Sequence, residues 1–218
     1  MKKYTYFALC ALLLGFSACS SYPDYDANEV ERQVVAITQY DLSTNFTKPH
    51  FNTFSIADSM CVLDEKGKKI YVKNDLSDLI IAQAKLNMKE FGYTYVDKSA
   101  VPDLAINVSG IKSSKYQYSY YWGFYDPYYW GDYWGWYYYY PVYPMLTSVY
   151  TSGSVLLEMV DIKDANIEEK KLKVVWVGII RGIMNYKHTD AEIIGAVNTC
   201  FKQTPVAPFN LNAPSVRK

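Results

Sequence analysis

The feature that most constrains this chain is an aromatic stretch between Tyr116 and Pro144. These 29 residues hold 13 of the 23 tyrosines and four of the five tryptophans, and only Asp126 and Asp132 carry charge. A transmembrane helix needs about 20 apolar residues that keep a helix intact, whereas this stretch contains six glycines or prolines. Disordered segments are poor in aromatic residues. The sequence therefore predicts a long aromatic loop between two strands.

Two roles for this loop stay open from the sequence. Loops longer than about 12–15 residues are uncommon unless they are functional or disordered, so the rings either contact a partner or pack on the sheet as core. Tyr116, Tyr118 and Tyr120 continue the alternation of the preceding strand, which favours partial packing on the sheet. The residues that we predict to contact a partner or a glycan are Tyr125, Tyr129, Trp130, Tyr133, Trp134, Trp136 and Tyr138.

Residues 1–18 have the pattern of a bacterial signal peptide. Two lysines precede an apolar run from Phe7 to Phe16 that is too short to cross a membrane as a helix. The following Ser17-Ala18-Cys19 resembles the processing box of bacterial lipoproteins, in which the cysteine is acylated and becomes the new N-terminus. Phe16 departs from that box, which usually has an aliphatic residue at this position. We predict a lipoprotein signal peptide and lipid attachment at Cys19.

The predicted lipid would hold the domain close to a membrane. A single acyl chain anchors only marginally, but the resemblance implies a diacyl or triacyl group, such as palmitate. Residues 19–32 are then the lipidated cysteine and a short polar linker. Ser20 is not the aspartate that retains proteobacterial lipoproteins at the inner membrane, so we predict the outer membrane, on either its periplasmic or its surface face. The alternative is ordinary cleavage to a secreted protein.

Charges, cysteines and histidines exclude several classes of site. Lys plus Arg equals Asp plus Glu at 22 each, so nothing indicates a nucleic-acid-binding surface. The spacing of Cys61 and Cys200 does not decide whether they pair in an oxidising envelope, and two buried free thiols is the simpler interpretation. His50 and His188 are the only histidines, and no ligand-spaced cluster accompanies them. The sequence therefore predicts no metal and no cofactor.

Hydrophobic patterns predict the strands and helices of one domain. A helix capped by Asp75 is expected to end at Gly92, and a capping box from Thr189 to Glu192 opens a second helix that ends before Pro205. The buried stripe of the first helix is predicted to contain Leu76, Leu79, Ile80, Ala84, Leu86 and Phe91, and that of the second Ile193, Ile194, Val197, Cys200 and Phe201. The predicted strands cover residues 34–41, 51–58, 60–63, 69–72, 93–97, 103–109, 150–162 and 173–183.

The order of these elements predicts an α+β fold. It consists of an antiparallel β-sheet with two helices packed on one face, plus a long Tyr/Trp-rich loop between two strands. By length the chain holds one such domain, which we place at residues 33–205, with residues 116–144 as an aromatic-rich insert. Residues 206–218 are predicted to be a C-terminal tail.

The order of motifs along the chain resembles a known family. After the lipoprotein box come a strand ending in Asp41, the Phe51–Phe54 strand, Gly92-Tyr93, Asp103-Leu104, the aromatic insert, the strand at residues 153–161, Val175-Trp176-Val177-Gly178 and a capped final helix. This order is similar to that of bacterial lipoproteins with domain of unknown function 4136, and the resemblance covers Val34 to Pro205. The hairpin around Gly67 and the length of the insert depart from the family. The resemblance implies an envelope location of the Bacteroidota type and carries no established activity.

No motif in the sequence supports catalysis. A nucleophile elbow, a P-loop and a dinucleotide fingerprint are all missing from it. His188, just before Thr189, is more simply part of a helix entry than of a catalytic triad. Asp126 and Asp132 superficially suggest the paired carboxylates of a glycosidase, but such residues commonly form turns. We therefore predict a protein that is not an enzyme.

Two functions of different classes remain. The first is a lipid-anchored binding or scaffolding module whose Tyr/Trp-rich loop docks on an envelope protein, since Tyr and Trp combine a large apolar face with a polar group. The second is a glycan-binding module in which Trp130, Trp134 and Trp136 stack on sugars. A third use of the loop is insertion into lipid headgroups. The sequence identifies neither the partner nor the oligomeric state.

Overall fold

The computed structural model describes residues 33–63, 69–112, 138–141, 153–166 and 171–204. The chain divides into two units, and every described residue belongs to the second unit, Arg32–Lys218. The predicted signal peptide, Cys19 and the predicted C-terminal tail lie outside the described residues. The described residues therefore belong to the predicted α+β domain.

Within these ranges, nine strands form one sheet. They are β1 (Val35–Tyr40), β2 (Thr53–Ile56), β3 (Met60–Leu63), β4 (Lys69–Val72), β5 (Thr94–Tyr95), β6 (Leu104–Ile111), β7 (Tyr138–Pro141), β8 (Ser154–Asn166) and β9 (Lys171–Arg181). The main path across the sheet is β1-β9-β8-β6-β2-β5. Strand β3 pairs with β4 and β6, and β7 pairs with β9.

The predicted α+β class is confirmed, and the sheet is mixed. The long strands β1, β9, β8 and β6 pair with one another in antiparallel orientation along this path, as do the two strands of the predicted hairpin β3–β4. Strand β2 runs parallel to β5 and β6, and β3 runs parallel to β6. These parallel pairs arise because the helix between β4 and β5 returns the chain in its original direction, as a crossover connection does.

The first helix, α1 (Asp75–Glu90), begins one residue earlier than predicted. Its N-cap is Asn74, whose side chain accepts a hydrogen bond from the N–H of Ser77, while Ser77 Oγ accepts one from the N–H of Asn74. Gly92 follows the helix with φ of +90°, in agreement with the predicted C-terminal glycine. The prediction that Leu86 is buried is wrong, because 52% of it is exposed.

The second helix, α2 (Asp190–Lys202), has the predicted capping box. Thr189 Oγ1 accepts a hydrogen bond from the N–H of Glu192, and the Glu192 carboxylate accepts one from the N–H of Thr189. Ile194 is only half-buried, while the other four residues of the predicted stripe are buried. The hydrophobic pattern therefore predicted correctly which side of α2 is buried.

Both helices pack on the same face of the sheet, as predicted. Buried side chains from both of them share one cluster with Met159 of β8 and Trp176 of β9. A second cluster on the opposite face contains Leu156 and Val160 of β8 and Val177 of β9, and it includes no residue from either helix. Strands β8 and β9 are thus buried on both faces, as their continuous apolar sequences indicate.

Candidate functional site

The predicted contact residues lie in the aromatic insert. The backbone of Tyr138 belongs to β7, which pairs in parallel with Lys171–Val174 of β9. The other six predicted residues, Tyr125, Tyr129, Trp130, Tyr133, Trp134 and Trp136, lie outside the described residues. Four residues of the insert, Tyr138–Pro141, are therefore a strand of the sheet.

The segment that contains the insert, residues 112–152, starts and ends at two neighbouring positions in the sheet. The chain leaves β6 after Ile111 and returns at Gly153, whose N–H donates a hydrogen bond of 2.7 Å to the carbonyl of Ile111. Both flanking strands are buried along their whole contact, since Leu104–Ile111 is buried at every position. The insert is therefore attached to a rigid part of the domain.

The segment that contains the insert leaves and rejoins the sheet at the same end as the start of β1, the first strand of the domain. Three antiparallel pairs mark this end of the sheet: Val35 with Arg181, Ile180 with Val155, and Ser154 with Ile111. The first residue of β1 thus lies at the same end of the sheet as the two attachment points. We call this the entry end.

The opposite end of the sheet is charged. Here Asp41, directly after β1, forms an ion pair between its Oδ2 and Nζ of Lys173 in β9. Burial raises the pKa of Asp41, but Lys173 and hydrogen bonds from Ser43 and Thr44 outweigh it and lower the pKa to about 2. Asp41 is therefore a carboxylate at neutral pH, although it is buried.

This charged end also brings together three residues with metal-ligand atoms. Nε2 of His50 lies 3.2 Å from Oδ2 of Asp164, and Asp161 is close to both. Burial raises the pKa of Asp161, and the hydrogen bond from the Asp164 N–H partly opposes this shift. The nearby Asp164 carboxylate raises the pKa further, and His50 and Lys173 lower it by smaller amounts. The sequence indicated no ligand-spaced cluster around His50, because Asp161 lies 111 positions further along the chain and only the fold brings the two residues together.

The loop before β2 holds His50 at this end. Asp103 Oδ2 accepts hydrogen bonds from the N–H groups of Asn52 at 2.7 Å and Thr53 at 3.0 Å. These bonds and Asp103's contact with Lys163 lower the pKa of Asp103, although burial, the largest single effect, raises it. Phe51 is fully buried, and its ring lies 4.3 Å from that of His50.

A further carboxylic acid, Glu158, is buried in the middle of the sheet. It lies on the face opposite the helices, 2% exposed, between Asn107 of β6 and Val177 of β9. Burial raises its pKa to about 7, although a hydrogen bond with the Ser109 side chain opposes the shift. Its Oε2 has no hydrogen-bond partner. The sequence signal for this site is a charged residue inside the otherwise apolar run 155–160 of β8.

Cys61 and Cys200 are both buried and form no disulfide, in agreement with the simpler of the two interpretations. Cys200 donates a weak hydrogen bond to the carbonyl of Ile179, and burial raises the pKa of its thiol to about 12. Such a thiol is inert at neutral pH.

The described helices include none that is both long and apolar enough to cross a membrane.

Comparisons with known proteins agree with this architecture. The family model of the domain of unknown function DUF4136 matches residues 36–206. The chain is similar to a DUF4136 family protein from Bacteroides thetaiotaomicron VPI-5482, whose crystal structure was determined at 1.60 Å resolution. The two are 30% identical, and the match covers 81% of this chain and 97% of the other, with a TM-score of 0.60. A comparison with curated proteins found no match.

The family match has the extent that the sequence analysis expected. It begins in β1 and ends just beyond α2, so it includes the sheet, both helices and the aromatic insert. The resemblance predicted from the order of motifs is therefore confirmed, and the chain belongs to the DUF4136 family.

Proposed function

We propose that this chain is a lipid-anchored binding or scaffolding protein of the bacterial cell envelope, and that its aromatic insert contacts another envelope protein. The attachment of the insert carries this proposal. A segment of 41 residues, 112–152, connects two positions, Ile111 and Gly153, that are joined by one hydrogen bond. Binding residues commonly lie on loops that a rigid scaffold positions.

The composition of the insert suits protein contacts. Tyr and Trp are enriched at interfaces because they bury a large area with little loss of conformational freedom and keep one polar group for hydrogen bonding. Contiguous apolar patches on soluble proteins commonly mark interaction sites. The insert has only two charged residues among the 29 between Tyr116 and Pro144, so a partner would meet a surface almost without ion pairs.

The position of the entry end supports an envelope partner. Val35 lies 16 positions after Cys19, and these 16 steps span at most about 53–58 Å when fully extended, at 3.3–3.6 Å per residue. A lipid on Cys19 would thus keep the entry end, with both attachment points of the insert, within that distance of the membrane. We propose the outer membrane because Ser20 is not the aspartate that retains proteobacterial lipoproteins at the inner membrane.

Crosslinking in intact cells of the native organism tests the insert directly. A photo-reactive residue at Tyr133 is expected to crosslink one recurrent envelope protein, identified by mass spectrometry. The matched control places the same residue at Tyr186, which is 38% exposed in the described part of the domain and should not capture that protein. Crosslinks from Tyr133 only to the chain itself would contradict the proposal.

Replacement of Trp130, Trp134 and Trp136 by alanine separates this function from glycan binding. Loss of the crosslinked protein with no change in polysaccharide retention supports the proposal. Loss of polysaccharide retention alone would favour the glycan-binding module instead. If the melting temperature falls and neither interaction changes, the rings act as core and both functions are excluded. Tyr186→Ala serves as the control for loss of an exposed aromatic ring.

The lipid anchor has its own test. Cys19→Ser should move the protein from the membrane fraction to the soluble fraction and abolish labelling with a palmitate analogue. Cys10→Ser is the matched control, since Cys10 lies inside the predicted signal peptide and its replacement should change neither result. Unaltered membrane association and labelling of Cys19→Ser would contradict the anchor.

A further inference from the structure

The charged end of the sheet has the composition of a metal site. One imidazole nitrogen and two carboxylate oxygens, from His50, Asp161 and Asp164, all lie within 4.8 Å of one another. His50 Nε2 and Asp164 Oδ2 are 3.2 Å apart, close to the separation of about 3.3 Å between two ligands of a tetrahedral zinc ion with bonds of about 2.0–2.1 Å. We propose that these three side chains bind one divalent cation of the zinc type.

An irregularity in β8 places the two carboxylates together. Residues three apart in a regular strand point to opposite faces of the sheet. Here Asp161 pairs with Lys173 and Asn166 pairs with Lys171, so five residue steps in β8 lie opposite two in β9. Such bulges redirect side chains and are common beside functional sites. This bulge allows Asp164 to reach the same point as Asp161.

The burial of Asp161 is a separate indication of a ligand. Only 4% of this residue is exposed. Its Oδ1 accepts a hydrogen bond of 2.9 Å from the N–H of Asp164, and a carboxylate oxygen of Asp164 lies within 4.8 Å of its own carboxylate. Two carboxylates this close repel each other, and more so when one of them is withdrawn from water. A bound cation would compensate both charges.

His50 is held in place before any cation binds. Its N–H donates to the carbonyl of Thr47 at 3.0 Å, and its own carbonyl accepts a hydrogen bond from Nζ of Lys163. The imidazole packs edge-on against the fully buried ring of Phe51. Little freedom of the backbone would therefore be lost on binding, and preorganised ligands bind more tightly.

The neighbouring lysines are already engaged. Lys173 pairs with Asp41, and Lys163 contacts the carbonyl of His50, so neither forms an ion pair with Asp164. A cation at this site would still experience the field of these two lysines, which lowers its affinity to some extent.

Calorimetry with Zn²⁺ tests the proposal on the full processed chain in detergent. The chain is purified through a tag without histidine and stripped with a chelator. We expect one Zn²⁺ per chain and a higher melting temperature in its presence. Asp164→Asn and His50→Gln should each weaken binding at least about tenfold, the lower end of what loss of even an outer-shell partner costs. Co²⁺ absorption reports the ligand set independently.

His188→Gln is the matched control. His188 is the only other histidine of the chain and lies beside Glu192 at the start of α2, so its loss should leave affinity unchanged. Asp164 is 58% exposed, which allows Asp164→Asn to fold, and the melting temperature of the metal-free variant checks this. Equal Zn²⁺ affinity of wild type, Asp164→Asn and His50→Gln would overturn the proposal, as would the absence of stoichiometric binding.

Discussion

Gly178 of β9 packs directly against Cys200 of α2. A Cβ built on Gly178 would lie 2.9 Å from the Cβ of Cys200 and 2.6 Å from the ring of Trp176. A side chain at position 178 would therefore overlap both Cys200 and Trp176, and glycine permits this close approach of the sheet and the second helix. The small, fully buried side chain of Cys200 fits this approach, which explains why a thiol that is inert at neutral pH lies in the core.

Gly178→Ala should destabilise the domain by about 1–3 kcal/mol, the usual cost of an additional methyl group in a packed core. The matched control is Gly195→Ala in α2, where a Cβ would meet nothing within 4 Å. That change should stabilise the domain by about 0.4–1 kcal/mol, because alanine restricts the unfolded chain. Urea denaturation measures both. Equal destabilisation by the two substitutions would show that the contact with Cys200 is not the cause.

Glu158→Gln should change how stability depends on pH. Because burial raises the pKa of Glu158 from 4.5 to about 7, the folded state binds one more proton than the unfolded state between these values. The free energy of unfolding should thus fall as pH rises from about 4.5 to about 7, by at most about 1.4 kcal/mol per pH unit, and should then level off.

Glutamine does not titrate, so the free energy of unfolding of Glu158→Gln should not show this decline. The variant should therefore gain stability relative to wild type as pH rises. Urea denaturation at pH 5 and pH 8 gives the comparison. Glu90→Gln, at an exposed position at the end of α1, is the control and should behave like wild type. A constant difference between Glu158→Gln and wild type at both pH values would contradict the assignment.

The elements of the fold were predictable because their signals are local. The capping box of Thr189 and Glu192 and the glycine after α1 act within a few residues, and the apolar sequence of β9 is continuous. The parallel pairing of β2 with β6 was not predictable, since it depends on how α1 returns the chain. Leu86 was misassigned because it falls at the edge of the hydrophobic stripe, where a small rotation of the helix decides burial.

The charged end of the sheet was not predictable for a different reason. His50 and Asp161 come together only when the loop before β2 folds against the end of β8. The sequence does contain two aspartates three residues apart, Asp161 and Asp164, but in a regular strand they would point apart. Only the bulge brings them together, and it depends on the pairing of β8 with β9.

Asp41→Asn should destabilise the domain at neutral pH by about 1–2 kcal/mol, because it removes the buried charge that pairs with Lys173. The pKa of Asp41 is lowered from 3.8 to about 2, so its contribution is complete above pH 3.8 and is lost as pH falls towards 2. The difference from wild type should therefore shrink over this range in denaturation experiments. Lys173→Met should produce a loss of similar size at neutral pH. A difference independent of pH would contradict this mechanism.

Gly153→Ala should be strongly destabilising, because Gly153 closes the aromatic insert with φ of +82°, and a Cβ there would lie 1.8 Å from Oδ1 of Asn185. The left-handed conformation alone costs about 1–2 kcal/mol for a residue other than glycine, and the overlap with Asn185 adds to this. Combining Gly153→Ala with Asn185→Ala should recover only the part due to overlap, after correction for Asn185→Ala alone. Complete recovery in urea denaturation would mean that backbone conformation at Gly153 contributes nothing. If Gly153→Ala alone loses no stability, Gly153 does not need its positive φ, and the hydrogen bond that joins it to Ile111 does not hold the chain there.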